Sequence, residues 1–403
     1  MPPNGNTGVP AIEGGAPVRS EPLPYATQWI TDEDVREVTN VLRSSWITSG
    51  PVVQRFENEF AALTGAAHAV AVYSCTHALH LCFAALDLEP GDEVITTPLT
   101  FVATAFAVTH NGARAVFADV REDDFNLDPA RVAEKLTPRT RALLPMHYGG
   151  APCEMDELMR IAAENRLFVV EDAAHALGAS YKGRRIGTLG DLTCFSFHAV
   201  KNVTSGEGGM ITTDDEPLRR RLVSLRFFGI PADAWARAGS ERPWHYEVRE
   251  HGFKCNMMDI QAALGLSQLK RLDDFLRRRR EICALYDAAF AADETLIPPR
   301  APAHSESARH LYVVRIRPET LKVDRDRVLR ALRAENVAAN VHYLPLHLHP
   351  WFRETFGFKR GDFPVAEKLY DTIVTLPLFP RMTDDDARSV VEALLRIVGY
   401  YRR

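Results

Sequence analysis

From about Val53 to Arg226, short apolar runs alternate with stretches of helical hydrophobic spacing. Residues 69–73 (Ala-Val-Ala-Val-Tyr) read as a strand and 78–86 as a helix; 93–97 is the next strand, and a helix follows from about residue 100 to 109. Strands at 113–120, 142–146 and 167–171 continue the series, with helices at 128–136 and 155–165 between them. Strands bounded by Gly, Pro and Asp and separated by helices of about ten residues are βαβ units, which build a mostly parallel sheet of the α/β class. Ligands of such sheets gather outside the carboxyl ends of the strands. Asp172, the Ser74-Cys75-Thr76 turn and Thr97-Pro98 all fall at those ends.

After Met257 the pattern changes to two long helices, 259–269 and 272–290, then a proline-rich break at 297–302. A strand (311–316), a helix (325–335), another strand and a closing helix complete the chain. The expected organisation is an N-terminal tail (1–24), a large domain (25–270) and a smaller α+β domain (271–403) that includes the connecting helix. With 403 residues, 46% hydrophobic and 25% charged, the chain is long enough for one large core and a second smaller one. Acids and bases are mixed along it and the net charge is −5, so no nucleic-acid footprint is visible. The run Arg277-Arg278-Arg279-Arg280 is followed by Glu281 inside a helical pattern and reads as a solvated helix face. Six scattered cysteines without a C-x-x-C pair point away from a zinc ribbon or disulfide framework and suit a reducing cytoplasm. The first twenty residues lack the apolar core of a signal peptide, and no apolar run approaches the roughly 18 residues of a membrane span.

Candidate chemistry centres on Lys201, in the run Phe195-Ser196-Phe197-His198-Ala199-Val200-Lys201-Asn202, and on Asp172, which ends an apolar strand. A lysine in a semi-buried, aromatic-lined turn is costly as a bare ammonium. Formation of a Schiff base with an aldehyde cofactor accounts for it, and a strand-end carboxylate is what a pyridinium nitrogen requires opposite. Ser74-Cys75-Thr76, between a strand and a helix, reads either as a plain helix cap or as a phosphate site. Ser196 is a second hydroxyl near Lys201; Phe101 could stack on an aromatic cofactor or simply fill the core. His175, three residues beyond Asp172, is either a hydrogen-bond partner for a phenolic oxygen or a structural histidine. The glycine-rich Gly206-Glu207-Gly208-Gly209 leads into a strand, not a helix, and so lacks the setting of a nucleotide-binding loop. His342, His347 and His349 lack helical metal-ligand spacing and a nearby carboxylate, which favours a polar substrate pocket over a metal.

These residues carry a resemblance. The stretch from about Tyr25 to Pro380 resembles the DegT-type nucleotide-sugar aminotransferases, pyridoxal 5′-phosphate (PLP) enzymes of the fold-type I, aspartate-aminotransferase-like scaffold. It is borne by Trp46-Ile47-Thr48-Ser49-Gly50-Pro51, Gly91-Asp92-Glu93-Val94-Ile95-Thr96, Glu171-Asp172-Ala173-Ala174-His175, the Lys201 run and Phe253-Lys254-Cys255-Asn256-Met257. Phe228-Gly229-Ile230-Pro231-Ala232-Asp233-Ala234-Trp235 resembles the branch that aminates C4 of a UDP-4-keto sugar, as in 4-amino-4-deoxy-L-arabinose synthesis.

The resemblance implies that Lys201 carries the cofactor as a Schiff base and Asp172 partners the pyridine nitrogen. It assigns Ser74, Cys75, Thr76 and Ser196 to the phosphate, Phe101 to the ring face and His175 to the 3′-oxygen. Asn256 matches an asparagine that reaches the phosphate of the neighbouring subunit's cofactor, which implies a homodimer with shared sites. Many relatives have Gly at Cys75 and Gln at His175. The implied reaction moves an amino group from L-glutamate to a nucleotide-linked keto sugar, with His342, Tyr343 and His347 expected to contact that sugar nucleotide. Alternatives are amination at C3 of a dTDP-keto-deoxysugar or of another cyclic ketone. Related sugar dehydratases carry histidine at the lysine position, and the Asp172–Lys201 pair weighs against a catalytically silent homologue.

Overall fold

The computed structural model describes residues 8–231, 235, 238, 242, 244–300, 302 and 304–403. Ala232, Asp233 and Ala234 of the proposed C4 motif therefore lie outside the described residues. The strands of the first half are β1 (His68–Val72), β2 (Glu93–Thr96), β3 (Arg114–Phe117), β4 (Thr140–Leu144) and β5 (Phe168–Asp172). Two short strands, β6 (Ser180–Tyr181) and β7 (Arg184–Arg185), precede β8 (Leu192–Ser196) and β9 (Gly209–Thr213). A seven-stranded sheet forms in the order β1-β9-β8-β5-β4-β2-β3. Only β9 runs antiparallel to its neighbours. β2, β4, β5 and β8 are fully or almost fully buried, as strands covered on both faces are.

The antiparallel return from β8 to β9 positions the lysine. Without a crossover helix, residues 197–208 fold back over the sheet end: Phe197 N–H donates to Gly208 at 2.9 Å, Ser205 N–H to Phe197 at 2.9 Å, and Lys201 N–H to His198 at 2.9 Å. Strand alternation turns Phe195 and Phe197 to one side and Ser196 to the other. The two phenylalanines pack against Phe56 and Phe60 of the helix Pro51–Thr64, with ring centroids 5.0–5.6 Å apart across the two elements. The aromatic residues around the lysine thus anchor its loop from beneath.

In the C-terminal part, β10 (Leu296–Ile297), β12 (Tyr312–Ile316) and β13 (Ile373–Leu376) form an antiparallel sheet, while β11 (Ser305–Glu306) joins β6 and β7. Helices Leu272–Phe290, Arg325–Ala334 and Asp384–Tyr401 close a separate core containing Tyr286, Phe290, Tyr312, Leu332 and Leu394. Two expectations differ here. The strand expected after the helix Arg325–Ala334 is reduced to an isolated bridge between Asn340 and Thr375, and helices Pro350–Phe356 and Pro364–Thr372 intervene before β13. Prolines at both helix starts account for this, since proline supplies the first-turn φ and needs no N–H partner there.

The described part of the 1–24 tail is docked rather than loose. Ala11 and Val18 N–H donate to the fully buried Glu335 carboxylate at 2.8 and 2.7 Å, and Leu23 bridges to Val337. A Gly- and Pro-rich segment has few strand partners, so its backbone donors find a carboxylate instead. Among the described residues, no helix is long and apolar enough to cross a membrane.

Candidate active site

A cavity of about 530 Å³ opens at the carboxyl ends of the large sheet, roofed by residues 310–311 and 340–343, Leu376 and Leu378 of the C-terminal part. Asp172, at the end of β5, points into it and is almost fully buried. Its Oδ2 accepts from Thr104 Oγ1 at 2.8 Å and its Oδ1 from Ala174 N–H at 3.1 Å. Thr104's proton is committed to the carboxylate, so Thr100, 2.7 Å away, donates to Thr104 in turn. Burial raises the Asp172 carboxyl above its ordinary value, and the Thr104 hydrogen bond opposes that rise.

The preceding residue faces the other way. Glu171 is fully buried and accepts from Thr193 Oγ1 at 2.7 Å and Gly190 N–H at 2.8 Å. His147 accepts from Cys153 N–H at Nδ1, which leaves its Nε2 proton to donate to Glu171 at 2.8 Å. His147 N–H also donates to the Asp172 carbonyl at 3.1 Å, tying this buried pair to the strand end.

Lys201 lines the same cavity, and burial brings its amine down to about 8, against partial opposition from Cys75 and Asp172. Opposite it, Ser74 caps the helix Cys75–Ala85: its Oγ accepts from His77 N–H at 3.3 Å. Gly209 packs so closely on this turn that a Cβ there would stand 2.5–2.7 Å from Ser74 C and O and Cys75 N. Ser74, Cys75 and Thr76 at the start of this helix line the cavity, and a helix N-terminus favours an anion.

His175 is 3% exposed, and its Nε2 lies 3.2 Å from the Tyr343 hydroxyl. Its Nδ1 is buried without a hydrogen-bond partner. Burial, with Lys201 and His342 nearby, holds the imidazole well below its ordinary pKa, hence neutral. An orphaned buried imidazole nitrogen, a buried strand-end carboxylate, an amine of lowered basicity and a helix N-terminus in one cavity suit a phosphorylated pyridine aldehyde. Among the described residues, Lys201 is the only lysine or arginine lining it.

The family profile of the DegT/DnrJ/EryC1/StrS aminotransferases matches residues 28–395. The chain belongs to the DegT/DnrJ/EryC1/StrS aminotransferase family. It is 48% identical over 381 residues to the spore coat polysaccharide biosynthesis protein SpsC of Bacillus subtilis, covering 94% of this chain and 98% of that one. The putative sugar aminotransferase Spr1654 of Streptococcus pneumoniae superposes with a TM-score of 0.88 at 32% identity, covering 94% and 99% of the two chains, in both its PLP and pyridoxamine-phosphate forms. Helicobacter pylori PseC, an aminotransferase of pseudoaminic acid biosynthesis, gives 0.89 at 27% identity over 94% and 100%. The protein is accordingly a PLP-dependent sugar aminotransferase of fold type I.

In this aminotransferase the cavity gathers Lys201, Asp172, Ser74, Cys75, Thr76, Ser196, His175, Phe101, His342 and Tyr343. Phe101 caps the helix Val102–Thr109 at the cavity mouth, 58% exposed, with its ring 6.2 Å from that of Tyr343. His342 is buried, with Nδ1 3.0 Å from Thr375 Oγ1, and burial takes it down to about 4. His347 is not brought to the cavity. It is fully buried, its Nε2 lies 2.8 Å from Glu367 Oε1, and its ring packs 4.7 Å from Phe363. This corrects the expectation that no carboxylate lies near that histidine: Glu367 is distant in sequence and reaches it through the helix Pro364–Thr372.

Asn256 does not line its own chain's cavity; its amide donates to Ser49 Oγ at 2.5 Å and its oxygen accepts from Lys254. Thr104, Tyr25 and His310 line the cavity but escaped the sequence reading. Thr104 had a weak signal, a hydroxyl in the first turn of the helix Val102–Thr109, four residues after Thr100. His310 had only its place before the strand Tyr312–Ile316; its Nδ1 lies 3.2 Å from Asn202 Oδ1, beside Lys201.

Proposed function

We propose that this sugar aminotransferase transfers an amino group from L-glutamate to C4 of a nucleotide-linked keto sugar of the UDP-4-keto type, and that it acts as a homodimer with shared sites. The observation that carries the reading is the single cavity in which Lys201, Asp172, the unpaired His175 Nδ1 and the helix start at Ser74-Cys75-Thr76 face one another. The roof beyond them is neutral and rich in hydrogen-bonding groups: Tyr25, Asn340, His342 and Tyr343. Such groups can recognise sugar hydroxyls without burying a permanent charge. The C4 assignment rests on the resemblance of the segment beginning Phe228-Gly229-Ile230-Pro231. Relatives named for pseudoaminic acid and spore coat polysaccharide biosynthesis are in keeping with a sugar acceptor.

Bound here, PLP supplies an aldehyde that takes up an amino group and a ring that withdraws electrons. Each residue has a role that its surroundings support. Lys201, with its amine near 8, can hold the aldehyde and can also take up and return a proton close to neutral pH. Asp172, held by two donors, is the partner of the ring nitrogen. His175 Nδ1 meets the phenolic oxygen, and Phe101 covers the ring face. Ser74, Cys75, Thr76 and Ser196 bind the phosphate. Asn256 of a second copy would complete that site, within a large domain of residues 25–270 and a small one of 271–403. His342 and Tyr343 are the substrate contacts; His347 is left out because its partner is Glu367.

The test is a half-reaction screen. The enzyme is first converted with L-glutamate to its aminated form, then offered UDP- and dTDP-linked 4-keto and 3-keto sugars, with products read by mass spectrometry and NMR. A 4-amino sugar nucleotide is expected. Amination at C3 alone would overturn the position, and acceptance of a simple cyclic ketone with no sugar nucleotide accepted would overturn the acceptor class.

A further inference from the structure

We propose that Tyr343 is a positioning residue that fixes His175 as the Nδ1–H tautomer and so sets the hydrogen bond His175 makes to the cofactor's phenolic oxygen. This rests on the reading above that His175 faces that oxygen. The argument begins with the count of donors and acceptors. A neutral imidazole has one N–H and one lone pair, and both must be satisfied when the ring is buried. His175 is buried, with Nε2 3.2 Å from the Tyr343 hydroxyl and Nδ1 unpartnered. The groups around it all disfavour a second proton: Lys201, His342, and His310, whose ring centroid lies 4.4 Å away. His310 directs a ring nitrogen at Asn202 Oδ1, an acceptor, so its N–H is used there.

The Tyr343 bond can form in two ways. Either the phenol donates to an Nε2 lone pair, leaving the proton on Nδ1, or Nε2–H donates to the phenol oxygen, leaving Nδ1 bare. An imidazole nitrogen is far more basic than a phenol oxygen, and a phenol is a stronger donor than a neutral imidazole N–H. Burial also keeps Tyr343 protonated. The first arrangement therefore prevails, and the orphaned Nδ1 becomes a donor aimed at whatever anionic oxygen fills the cavity. Tyr343 belongs to the turn that roofs the sugar side, so this single hydrogen bond links the acceptor wall to the cofactor's electronic state. A glutamine at position 175 would donate through its amide without any tautomer to choose, and so would not need Tyr343.

Two readouts test this, neither of them turnover. In cofactor-free protein labelled with 15N-histidine, His175 is identified by the signal lost in His175→Gln. It should appear as the Nδ1–H tautomer in wild type and as a mixture in Tyr343→Phe, which keeps the ring that packs beside Phe101 and His342. In the PLP-loaded protein, the pH midpoint of the visible absorption change should rise by about 0.5–1 unit in Tyr343→Phe, because a weaker donor leaves the phenolic oxygen more basic. In a His175→Gln background the same change should move the midpoint by less than about 0.2 unit. An Nε2–H tautomer in the wild type overturns the proposal whatever the cofactor does. Equal midpoint shifts in both backgrounds also overturn it. An Nδ1–H tautomer with an unmoved midpoint in Tyr343→Phe would instead take His175 away from the phenolic oxygen, and the proposal would fall with that reading.

Discussion

Replacing Thr104 by valine removes the hydroxyl that links Asp172 to Thr100 at the centre of the site. Thr104 is 1% exposed and its hydroxyl donates to Asp172 Oδ2 at 2.8 Å. Valine keeps the shape and removes the donor. A hydrogen bond to a charged group contributes about 1.5–3 kcal/mol. Asp172 retains its second donor, Ala174 N–H at 3.1 Å, so its charge is not left bare and the lower part of that range applies. About 1.5–2 kcal/mol corresponds to an upward shift of roughly one unit or slightly more in the Asp172 carboxyl. The shift adds to the rise that burial already imposes. A carboxyl that holds its own proton is a poorer partner for a ring nitrogen that must keep one. The half-reaction with L-glutamate, followed by stopped-flow at the cofactor's visible band, should therefore slow by about ten- to thirtyfold. Thr104→Ser retains the donor and should remain within about threefold of wild type. A valine variant as fast as wild type would refute the reasoning, because Asp172 would then not depend on that donor.

The remaining predictions follow from neighbouring features. Gly209→Ala would drive a Cβ to within 2.7 Å of the Ser74–Cys75 peptide, and backbone cannot yield as a side-chain tip can. PLP affinity should fall at least about tenfold by absorbance titration; unchanged affinity would remove the helix start from phosphate binding. Lys201→Met in the cofactor-free protein should raise the melting temperature at neutral pH. The sign follows from the lowered amine: below about 8 the folded state must bury a charge that the unfolded chain leaves in water. The gain is complete below that value and fades as pH rises through about 10.5, above which both states are neutral. A gain that does not depend on pH would point to packing instead.

Much of the fold was legible because its signals are local. The helices 155–165, 259–269 and 272–290 appear with the expected bounds, as strong apolar periodicity over ten or more residues dictates. The strand ends that carry Ser74 and Asp172 were equally readable from runs bounded by turn residues. What escaped depends on distant residues. That Glu335 would gather the N-terminal backbone, or that Glu367 would bind His347, is not encoded near either partner. The cavity's roof assembles from segments more than a hundred residues beyond Lys201, so His310 beside His175 had no sequence neighbour to announce it. The turn at His342 and Tyr343 follows an isolated bridge at Asn340 rather than a full strand, and that bridge's partner Thr375 lies more than thirty residues on.

The central claim is that Lys201 is the residue through which this aminotransferase holds its cofactor. Borohydride reduction of the PLP-loaded enzyme, followed by proteolysis and mass spectrometry, tests it directly. The account predicts a phosphopyridoxyl tag on the peptide containing Phe197-His198-Ala199-Val200-Lys201, and no tagged lysine in Lys201→Ala. A tag on any other lysine of the wild-type protein would contradict it.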